Sequence, residues 1–339
     1  MNAPSMKAFL IDRYGGPEVL VARDIPLPEV GANDLLVRVR ASGVNPVDFK
    51  IRDGMVKILV KLRFPAVLGN ELSGVVARIG TNVTGFKEGD EVFARLAKDR
   101  LGAFAEFTAV DASLAVRKPA NLTHVQAASI PLVGLTSWQA LVDTARLQSG
   151  QKVLIHAGSG GVGTFALQLA KHLGATVLTT ASARNADLVR RLGADVVIDY
   201  KNVPFESMAT DCDVVFDTQG GDILERSFSA VKRGGIVVTI SGNPDGKFAK
   251  ARGLNPIVVL ALRFMMRKVT TLARSKDAHF EYLFMRPDGQ QLATIAELLS
   301  NETIKPVVDR VFPFDQTAGA LAYVESGKAT GKVVIEQSE

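Results

Sequence analysis

Two hydrophobic patterns follow one another along the chain, and the change comes near residue 123. Before it, short runs that favour β-strands are separated by turns rich in glycine and proline. After it, short apolar runs alternate with segments of helical periodicity. Such alternation is typical of a parallel, doubly wound sheet. We therefore predict an α/β protein with a β-rich, barrel-like first domain and a parallel-sheet second domain.

The same patterns place the individual elements. Strands in the first part are predicted at 6–11, 18–24, 34–42, 72–79, 91–94 and 103–110. Helices are predicted at 125–128 and 135–147, and strands of the second part at 152–155, 176–180, 196–199, 214–217 and 236–240. After Ser241 the alternation is lost, and the end reads as helix 289–299, β segment 307–312, helix 316–325 and strand 332–336. We expect this end to return to the first domain, with domains at 1–123, 124–270 and 271–339.

A glycine-rich stretch joins the first strand of the second part to a helix. Gly158, Gly160 and Gly163 fit G-x-G-x-x-G between the apolar run 152–155 and the helical run 164–173. In that motif the glycines allow a tight turn, close approach to a pyrophosphate, and close packing of helix and strand. The helix N-terminus then favours an anion. A glycine-rich turn without a ligand is the alternative, but the flanking strand and helix favour a dinucleotide.

The residues at the end of the next strand indicate which of the two nicotinamide dinucleotides the protein binds. NAD enzymes carry an acidic residue there, which holds the adenosine ribose 2′-hydroxyl. Here the positions after strand 176–180 include Ser182 and Arg184 and no carboxylate. Arg184 is suited to pair with a 2′-phosphate, and Ser182 to donate a hydrogen bond. A solvated surface arginine is the alternative, but the pattern predicts NADPH.

The composition of the chain argues against a secreted, disulfide-bonded or membrane-spanning protein. With 339 residues, 47% of them hydrophobic, the chain is expected to form two soluble domains. One cysteine, Cys212, excludes an internal disulfide and a cysteine-built zinc site, and it favours a reducing, cytoplasmic setting. No secretory signal is expected at the start, and no apolar run approaches the ~20 residues of a membrane span.

The positive charge of the chain is local. Residues 246–276 hold eight basic side chains and no acidic one, and subtracting these eight from the net charge of +5 leaves −3 for the rest. A nucleic-acid-binding protein should carry its charge in a stripe joined to a reading motif, so we expect no nucleic-acid partner. The apolar centre of this segment, 256–266, would be too short as a helix to cross a ~30 Å bilayer core.

At this point the chain resembles the medium-chain dehydrogenase/reductases over nearly its whole length. The matching motifs are YGGPEVL at 14–20, GVNPVD at 43–48, GFKEGDEV at 85–92, GAFAE at 102–106, GGVG at 160–163, LGAD at 192–195 and GK at 331–332. The resemblance implies a GroES-like catalytic domain around a central Rossmann domain. Zinc alcohol dehydrogenases of this family carry a cysteine and a histidine where this chain has Asn45 and Asn70. Glu71 remains as either a metal ligand or a hydrogen-bonded cleft residue, and we expect hydride chemistry without a metal.

In lacking these zinc ligands, the chain is similar to the quinone oxidoreductase branch of the family, especially to its enone reductases. The motifs that carry this similarity are NPVDFK at 45–50, TASARN at 180–185, IDY at 198–200, KPVVD at 305–309 and ATGKVVI at 329–335. Asn70 stands in Gly-Asn-Glu, where the branch usually has Gly-Tyr-Asp. The resemblance implies cofactor contacts from Ser159, Gly160, Gly161, Val162, Ser182, Arg184, Tyr200, Thr218, Ile240, Phe284 and Thr330. Among these, Ser182, Arg184 and Tyr200 would hold the 2′-phosphate.

Lys50 matches a family lysine near the nicotinamide and the substrate oxygen. Reduction of an activated C=C develops charge on the carbonyl oxygen, which a cationic donor stabilises. A surface lysine is the alternative for Lys50; Asn45 and Asp48 either orient the cofactor ribose or Lys50, or cap a turn. Tyr14 either lines the pocket or packs in the core. The four histidines are read as structural.

Three functions therefore compete. An NADPH-dependent reductase of lipophilic enones or quinones leads, and a zinc-free alcohol or aldehyde reductase comes second. The third is an NADPH-binding structural or membrane-trafficking protein with little activity. A homodimer is expected, and residues 246–276 either form a flap over the pocket or a dimer partner, or contact an anionic membrane surface.

Overall fold

The computed structural model describes residues 5–337 and contains two compact units. Unit 1 runs to Leu135 and resumes at Arg286, and unit 2 is Thr136–Met285. The boundaries differ from residues 123 and 270 for two reasons. Helix His124–Ala128 packs on the sheet of unit 1, where Ala128 meets Ala41 and Val334. Strand His279–Tyr282 pairs within the sheet of unit 2.

Unit 1 is built mainly of antiparallel strands. Its strands are β1 Ser5–Ile11, β2 Val21–Pro26, β3 Asp34–Val44, β4 Ala66–Val67, β5 Glu71–Ile79, β6 Glu91–Arg95, β7 Phe107–Asp111, β8 Ala115–Arg117, β15 Val308–Pro313 and β16 Lys332–Glu336. Its helices are α1 Pro46–Arg52, α2 His124–Ala128, α10 Gly289–Ser300 and α11 Thr317–Glu325, while α3 Pro131–Trp138 crosses the boundary into unit 2.

The larger sheet of unit 1 has the order β15-β16-β3-β5-β6-β8, with β7 also paired to β3. The smaller sheet has the order β2-β1-β4. Alternate residues of β3, β5 and β6 fill the core, among them Leu35, Val37, Leu72, Val76 and Val92. The last strand, β16, pairs with the end of β3, so the C-terminal part of the chain completes this sheet. That pairing brings residues nearly 300 positions apart in sequence to one place.

Unit 2 contains a parallel sheet with helices between its strands. Its strands are β9 Lys152–Ile155, β10 Thr176–Ala181, β11 Val196–Asp199, β12 Cys212–Asp217, β13 Val231–Thr239 and β14 His279–Tyr282, in the order β11-β10-β9-β12-β13-β14. Its helices are α4 Gly161–His172, α5 Ala186–Arg191, α6 Gly221–Ala230, α7 Gly246–Ala251, α8 Pro256–Met265 and α9 Arg267–Ser275. The core joins strand residues such as Leu154 and Val215 to Phe228 of α6 and Val269 of α9. The predicted α/β class, with a β-rich first domain and a parallel sheet in the second, is confirmed.

Several local predictions are wrong. Residues 17–19 form a 3-10 turn, and the second strand is Val21–Pro26 rather than 18–24. The strand predicted at 103–110 is Phe107–Asp111. The helix predicted at 135–147 is α3 followed by a wider π-type turn at Gln139–Thr144. Alternation does not stop after Ser241, because α7, α8 and α9 lead into β14. Over residues 5–337 no helix combines the length and apolarity needed to cross a membrane.

Candidate functional site

The glycine-rich turn of unit 2 joins the end of β9 to the start of α4. Ala157 has a left-handed backbone with φ of 53°, and Gly160 is the residue before the helix. A Cβ atom on Gly158 would collide with the hydroxyl of Thr179 on β10, and one on Gly163 would collide with the carbonyl oxygen of Ala157. Glycine at these positions therefore brings α4 close to the strands. The first N–H groups of an α-helix have no acceptor within the helix, and such groups commonly bind the diphosphate of a dinucleotide.

The predicted cofactor residues follow the carboxyl ends of all six strands of unit 2. They are Ser159, Gly160, Gly161 and Val162 after β9, Ser182 and Arg184 after β10, Tyr200 after β11, Thr218 after β12, Ile240 after β13 and Phe284 after β14. Because every pair in this sheet is parallel, these ends meet at one edge. The strand order reverses at β9, and ligands of such sheets bind at the edge beside that reversal. Thr330 lies in unit 1.

The groups predicted to hold a 2′-phosphate come together on two neighbouring strands. Ala181 pairs with Asp199 in register, so Ser182 and Tyr200 leave the sheet side by side. Arg184 is exposed, and the ring of Tyr200 is 58% exposed. Three hydrogen-bond donors, one of them a guanidinium, are therefore accessible at this corner.

The carboxylate of Asp199 is the acidic group nearest to this corner in sequence. It accepts a hydrogen bond from the N–H of Lys201 at 3.2 Å and one from Asn202 Nδ2 at 2.6 Å. The carboxylate of Asp199 therefore stabilises the turn that follows β11. Its position differs from that of the ribose-binding acid of NAD enzymes, which follows the strand next after the glycine motif.

Other polar groups at this edge organise the loops. Ser159 Oγ accepts a hydrogen bond from Asn185 Nδ2 at 3.0 Å, which joins the glycine turn to the segment after β10. The hydroxyl of Thr218 donates to the carbonyl oxygen of His156 at 3.0 Å. Burial lowers the pKa of His156 to about 4, and its ring lies between the hydroxyls of Thr180 and Ser227 at 3.3 and 3.1 Å. His156 is therefore a neutral residue that supports the turn from inside.

Asp217, at the end of β12, was missed by the sequence analysis. Its carboxylate is buried and accepts hydrogen bonds from Gln219 N at 2.9 Å, Gly220 N at 3.0 Å and Thr239 Oγ1 at 2.7 Å. Burial raises its pKa. The residue fixes the loop that carries Thr218, and an aspartate followed by a Gln-Gly-Gly turn after an apolar strand was the available signal.

A separate cluster of charged and amide side chains lies inside unit 1. It gathers at one end of three adjacent strands, because Val44 of β3 pairs with Val333 of β16 and Gly43 of β3 pairs with Glu71 of β5. The cluster consists of Asn45, Asp48, Asn70, Glu71, Arg95 and Lys332, each of them buried. Gly43 is required at this point, because a Cβ atom there would collide with Glu71 and lie 2.6 Å from the carbonyl oxygen of Ala128.

Asn45 and Asp48 begin helix α1. The Asn45 N–H donates to Asp48 Oδ2 at 2.7 Å, and Asn70 Nδ2 donates to Asp48 Oδ1 at 2.5 Å. These two side chains therefore cap the helix, which was one of the two alternatives for them. Burial raises the pKa of Asp48 from 3.8 to about 6.

Glu71 is a fully hydrogen-bonded internal carboxylate. Lys332 Nζ lies 2.6 Å from Glu71 Oε1, and Asn45 Nδ2 donates to the same oxygen at 2.7 Å. Leu132 N, at the start of α3, donates to Oε2 at 2.6 Å. Arg95 is also buried nearby, and its Nη1 donates to the carbonyl oxygen of Asn70 at 3.1 Å. Lys332 and Arg95 were not among the sequence candidates, since a lysine and an arginine inside strands carry no local signal of burial.

Lys50 lies on α1, two residues after Asp48, and its environment differs from that of Lys332. Its side chain is half-buried, and this burial lowers the pKa of its ammonium group. Within residues 5–337 no carboxylate forms an ion pair with it. Lys50 therefore keeps its N–H donors available, as a group that stabilises a developing negative charge requires.

Tyr14 and His124, the histidine of unit 1, pack into the structure. The ring of Tyr14 makes an edge contact with Phe64 at 4.9 Å, and its hydroxyl accepts from Leu62 N at 3.3 Å. His124 Nδ1 lies 2.8 Å from Ser73 Oγ. In the described part of the chain, no group of three or more His, Cys, Asp or Glu side chains is arranged to hold a metal ion.

Comparison with known proteins agrees with this geometry. A family model described as "Alcohol dehydrogenase GroES-like domain" matches residues 31–120, and one described as "Zinc-binding dehydrogenase" matches residues 192–335. The zebrafish protein NAD(P)H oxidoreductase RTN4IP1, mitochondrial, is 34% identical over 98% of this chain and 92% of its own length. The chain belongs to the medium-chain dehydrogenase/reductase superfamily. The predicted resemblance is thereby confirmed.

Two further members of the superfamily are similar over nearly the whole chain. The Arabidopsis thaliana NADPH-dependent alkenal/one oxidoreductase, chloroplastic, is 36% identical over 97% of this chain and 79% of its own length. The structure of the quinone oxidoreductase from Coxiella burnetii superposes with a TM-score of 0.84 at 31% identity, over 98% of this chain and 99% of that one. Both cover the two units described above.

Proposed function

We propose that this protein is an NADPH-dependent reductase of α,β-unsaturated carbonyls or quinones. The observation that carries the proposal is the edge of the parallel sheet, where the glycine turn and the donors Ser182, Arg184 and Tyr200 follow adjacent strands. These residues fit a dinucleotide with a 2′-phosphate. The names of the relatives support the same chemistry, since one is an NADPH-dependent alkenal/one oxidoreductase and another a quinone oxidoreductase.

Lys50 is our proposed catalytic residue. Bound NADPH supplies the hydride for the β-carbon of the enone. As the electron pair of the C=C shifts toward the carbonyl, negative charge grows on that oxygen, and an ammonium donor there lowers the barrier. The α-carbon takes its proton from water. Asn45 and Asp48 contribute by capping the helix that carries Lys50.

The Lys50 assignment predicts a selective loss of turnover. Lys50→Met should lower kcat/KM for an enone at least tenfold and leave NADPH affinity near that of the wild type, because the interaction strengthens mainly in the transition state. The assay is NADPH oxidation with a panel of enones, quinones, aldehydes and, in the reverse direction, simple alcohols. Lys57→Met, which removes an exposed lysine of the same unit, is the control. Turnover of alcohols or aldehydes alone, or an unchanged kcat/KM in Lys50→Met, would contradict the proposal.

The preference for NADPH rests on Arg184. Arg184→Ala should weaken NADPH binding and leave NADH binding nearly unchanged, since one charge-assisted hydrogen bond contributes about 1.5–3 kcal/mol. Calorimetric titration with both cofactors measures the two effects. Arg191→Ala, an exposed arginine on α5, serves as the matched control. Equal losses for both cofactors would show that Arg184 does not contact the 2′-phosphate.

We also propose that the reaction needs no zinc. The support is the ammonium of Lys332, which lies 2.5 Å from Asn45 Oδ1 and 2.6 Å from Glu71 Oε1. These residues lie at or beside the places where the resemblance locates the ligands of zinc members, and a cation already present there disfavours a second one. Activity should therefore persist after exhaustive chelation. Stoichiometric zinc by elemental analysis, together with loss of activity on its removal, is the contrary result.

The surface of α8 supports a membrane contact. Ile257, Leu260 and Phe264 line its outer face and are 77%, 68% and 76% exposed, while Leu262 faces the interior. The segment 246–276, which contains α8, carries eight basic residues and no acidic one, although Lys247 and Lys268 pair with Glu281 and Glu225. Two copies joined at this face would bring like charges together, whereas an anionic lipid surface would neutralise them. We therefore propose reversible docking of α8 on anionic membranes.

The docking proposal predicts salt-sensitive capture by vesicles. Phosphatidylserine-containing liposomes should sediment the wild type at low salt, phosphatidylcholine liposomes much less, and Phe264→Ser should reduce capture at least fivefold. Met208→Ser, an exposed apolar residue of the same unit, is the control. Equal capture by both vesicle types would contradict docking. Dissociation of a dimer by Phe264→Ser would instead assign the face to a second copy.

Homodimerisation and a cytoplasmic location complete the proposal. Strand β14 ends the sheet order of unit 2, and pairing of two such edges would join two copies without using the outer face of α8. The single cysteine, Cys212, is an unpaired buried thiol, which supports a reducing compartment. Sedimentation equilibrium at several concentrations and localisation of a tagged full-length chain test these two statements.

A further inference from the structure

Lys332 carries an ammonium group in the interior of unit 1. The side chain begins at the first residue of β16 and is 4% exposed. Its Nζ lies 2.6 Å from Glu71 Oε1, 2.5 Å from Asn45 Oδ1 and 3.3 Å from the carbonyl oxygen of Val44. An ammonium has three N–H donors, so these three oxygens engage all of them. Lys332 therefore has no donor left for a substrate.

Lys332, Glu71 and Asn45 form a closed ring of contacts. Asn45 accepts from Lys332 through Oδ1 and donates to Glu71 through Nδ2 at 2.7 Å, and Glu71 binds Lys332 directly. The other oxygen of Glu71 accepts from Leu132 N. The ring thus ties β16, the end of β3, the start of β5 and the start of α3 to one ion pair. The side chain of Asn45 is fixed at both its oxygen and its nitrogen, which leaves it little rotational freedom.

The ring includes the residue that precedes helix α1. Asn45 is the residue before the helix, and its N–H is held by Asp48 in the first turn. The far end of the helix is also fixed, since Arg52 is buried and lies 3.2 Å from Glu325 on α11. Lys50 lies between these two anchors. Its half-buried side chain reaches its position only if both ends of the helix stay in place.

We propose that Lys332 and Glu71 are positioning residues for the reduction step, acting through Asn45 and α1 on the ammonium of Lys50. The inference rests on the proposed function for its kinetic consequence. The two lysines have different roles. Lys332 donates its hydrogen bonds to protein oxygens. Lys50 has no ion pair within residues 5–337, and its ammonium donates to the substrate oxygen.

The test is a paired substitution that removes both charges. Lys332→Met alone would leave the Glu71 carboxylate buried and unpaired, which destabilises a fold. The double variant Lys332→Met, Glu71→Gln keeps similar volumes without leaving an unpaired charge. We expect it to fold with a melting temperature near that of the wild type, to bind NADPH unchanged, and to lose at least tenfold in kcat with an enone. The control is Lys118→Met, Glu91→Gln, which removes another Lys–Glu pair of unit 1.

A second readout does not depend on activity. The pH dependence of Lys50 labelling by an amine reagent, followed by peptide mass spectrometry, measures the pKa of its ammonium in each protein. The double substitution changes no net charge, so a shift of at least half a unit reports a changed environment of Lys50. If the double variant does not fold, Asn45→Ala alone decides. It keeps the Lys332–Glu71 ion pair and removes the side chain that joins the pair to α1, so the same losses are expected in smaller degree.

The outcomes separate the inference from the proposed function. A folded variant with wild-type kcat and an unchanged pKa of Lys50 would show that the ring only stabilises unit 1, and would overturn the inference. Equal losses in the Lys118, Glu91 control would overturn it as well. A wild-type protein that reduces no enone or quinone would refute the proposed function, while the labelling of Lys50 would still measure positioning.

Discussion

The ion pair between Lys332 and Glu71 joins parts of unit 1 that lie far apart in the sequence. Both side chains are almost completely buried, so neither charge is stabilised by water, and removal of one partner of such a pair costs about 3–5 kcal/mol. The pair also links the last strand of the chain to its third and fifth strands. Folding of unit 1 is therefore incomplete until the C-terminal segment arrives, although the two residues are 261 positions apart.

In unit 2 the candidate cofactor residues are brought together by the parallel direction of the strands. When every strand runs in the same direction, the loops that follow them gather at one edge, whatever their order in the chain. Small or polar residues at the strand ends then meet without long-range ion pairs. The buried carboxylate of Asp217 and the neutral ring of His156 support these loops from inside. These internal hydrogen bonds hold the loops of the edge within unit 2.

The family model described as a zinc-binding dehydrogenase matches residues 192–335, whereas the positions compared with zinc ligands, Asn45 and Asn70, lie in unit 1. Amide side chains at positions 45 and 70 are weak ligands for zinc compared with thiolate and imidazole. In their place the structure has an internal ammonium with its own oxygen partners. This ammonium of Lys332 is the counter-charge of the buried Glu71 carboxylate.

The sequence by itself determined the glycine turn and the positions of polar residues after successive strands of unit 2. It also determined that Ser182 and Arg184, rather than an acidic residue, follow the second of these strands. These features depend on the spacing of residues within a βαβ unit. The sequence also predicted the fold class, through periodicities that act over about ten residues. Only the tertiary structure decided that Lys332 and Arg95 are buried, that Asp48 caps α1, and that β14 extends the parallel sheet. Those facts depend on which distant strands become neighbours, and a single sequence carries no local pattern for such pairings.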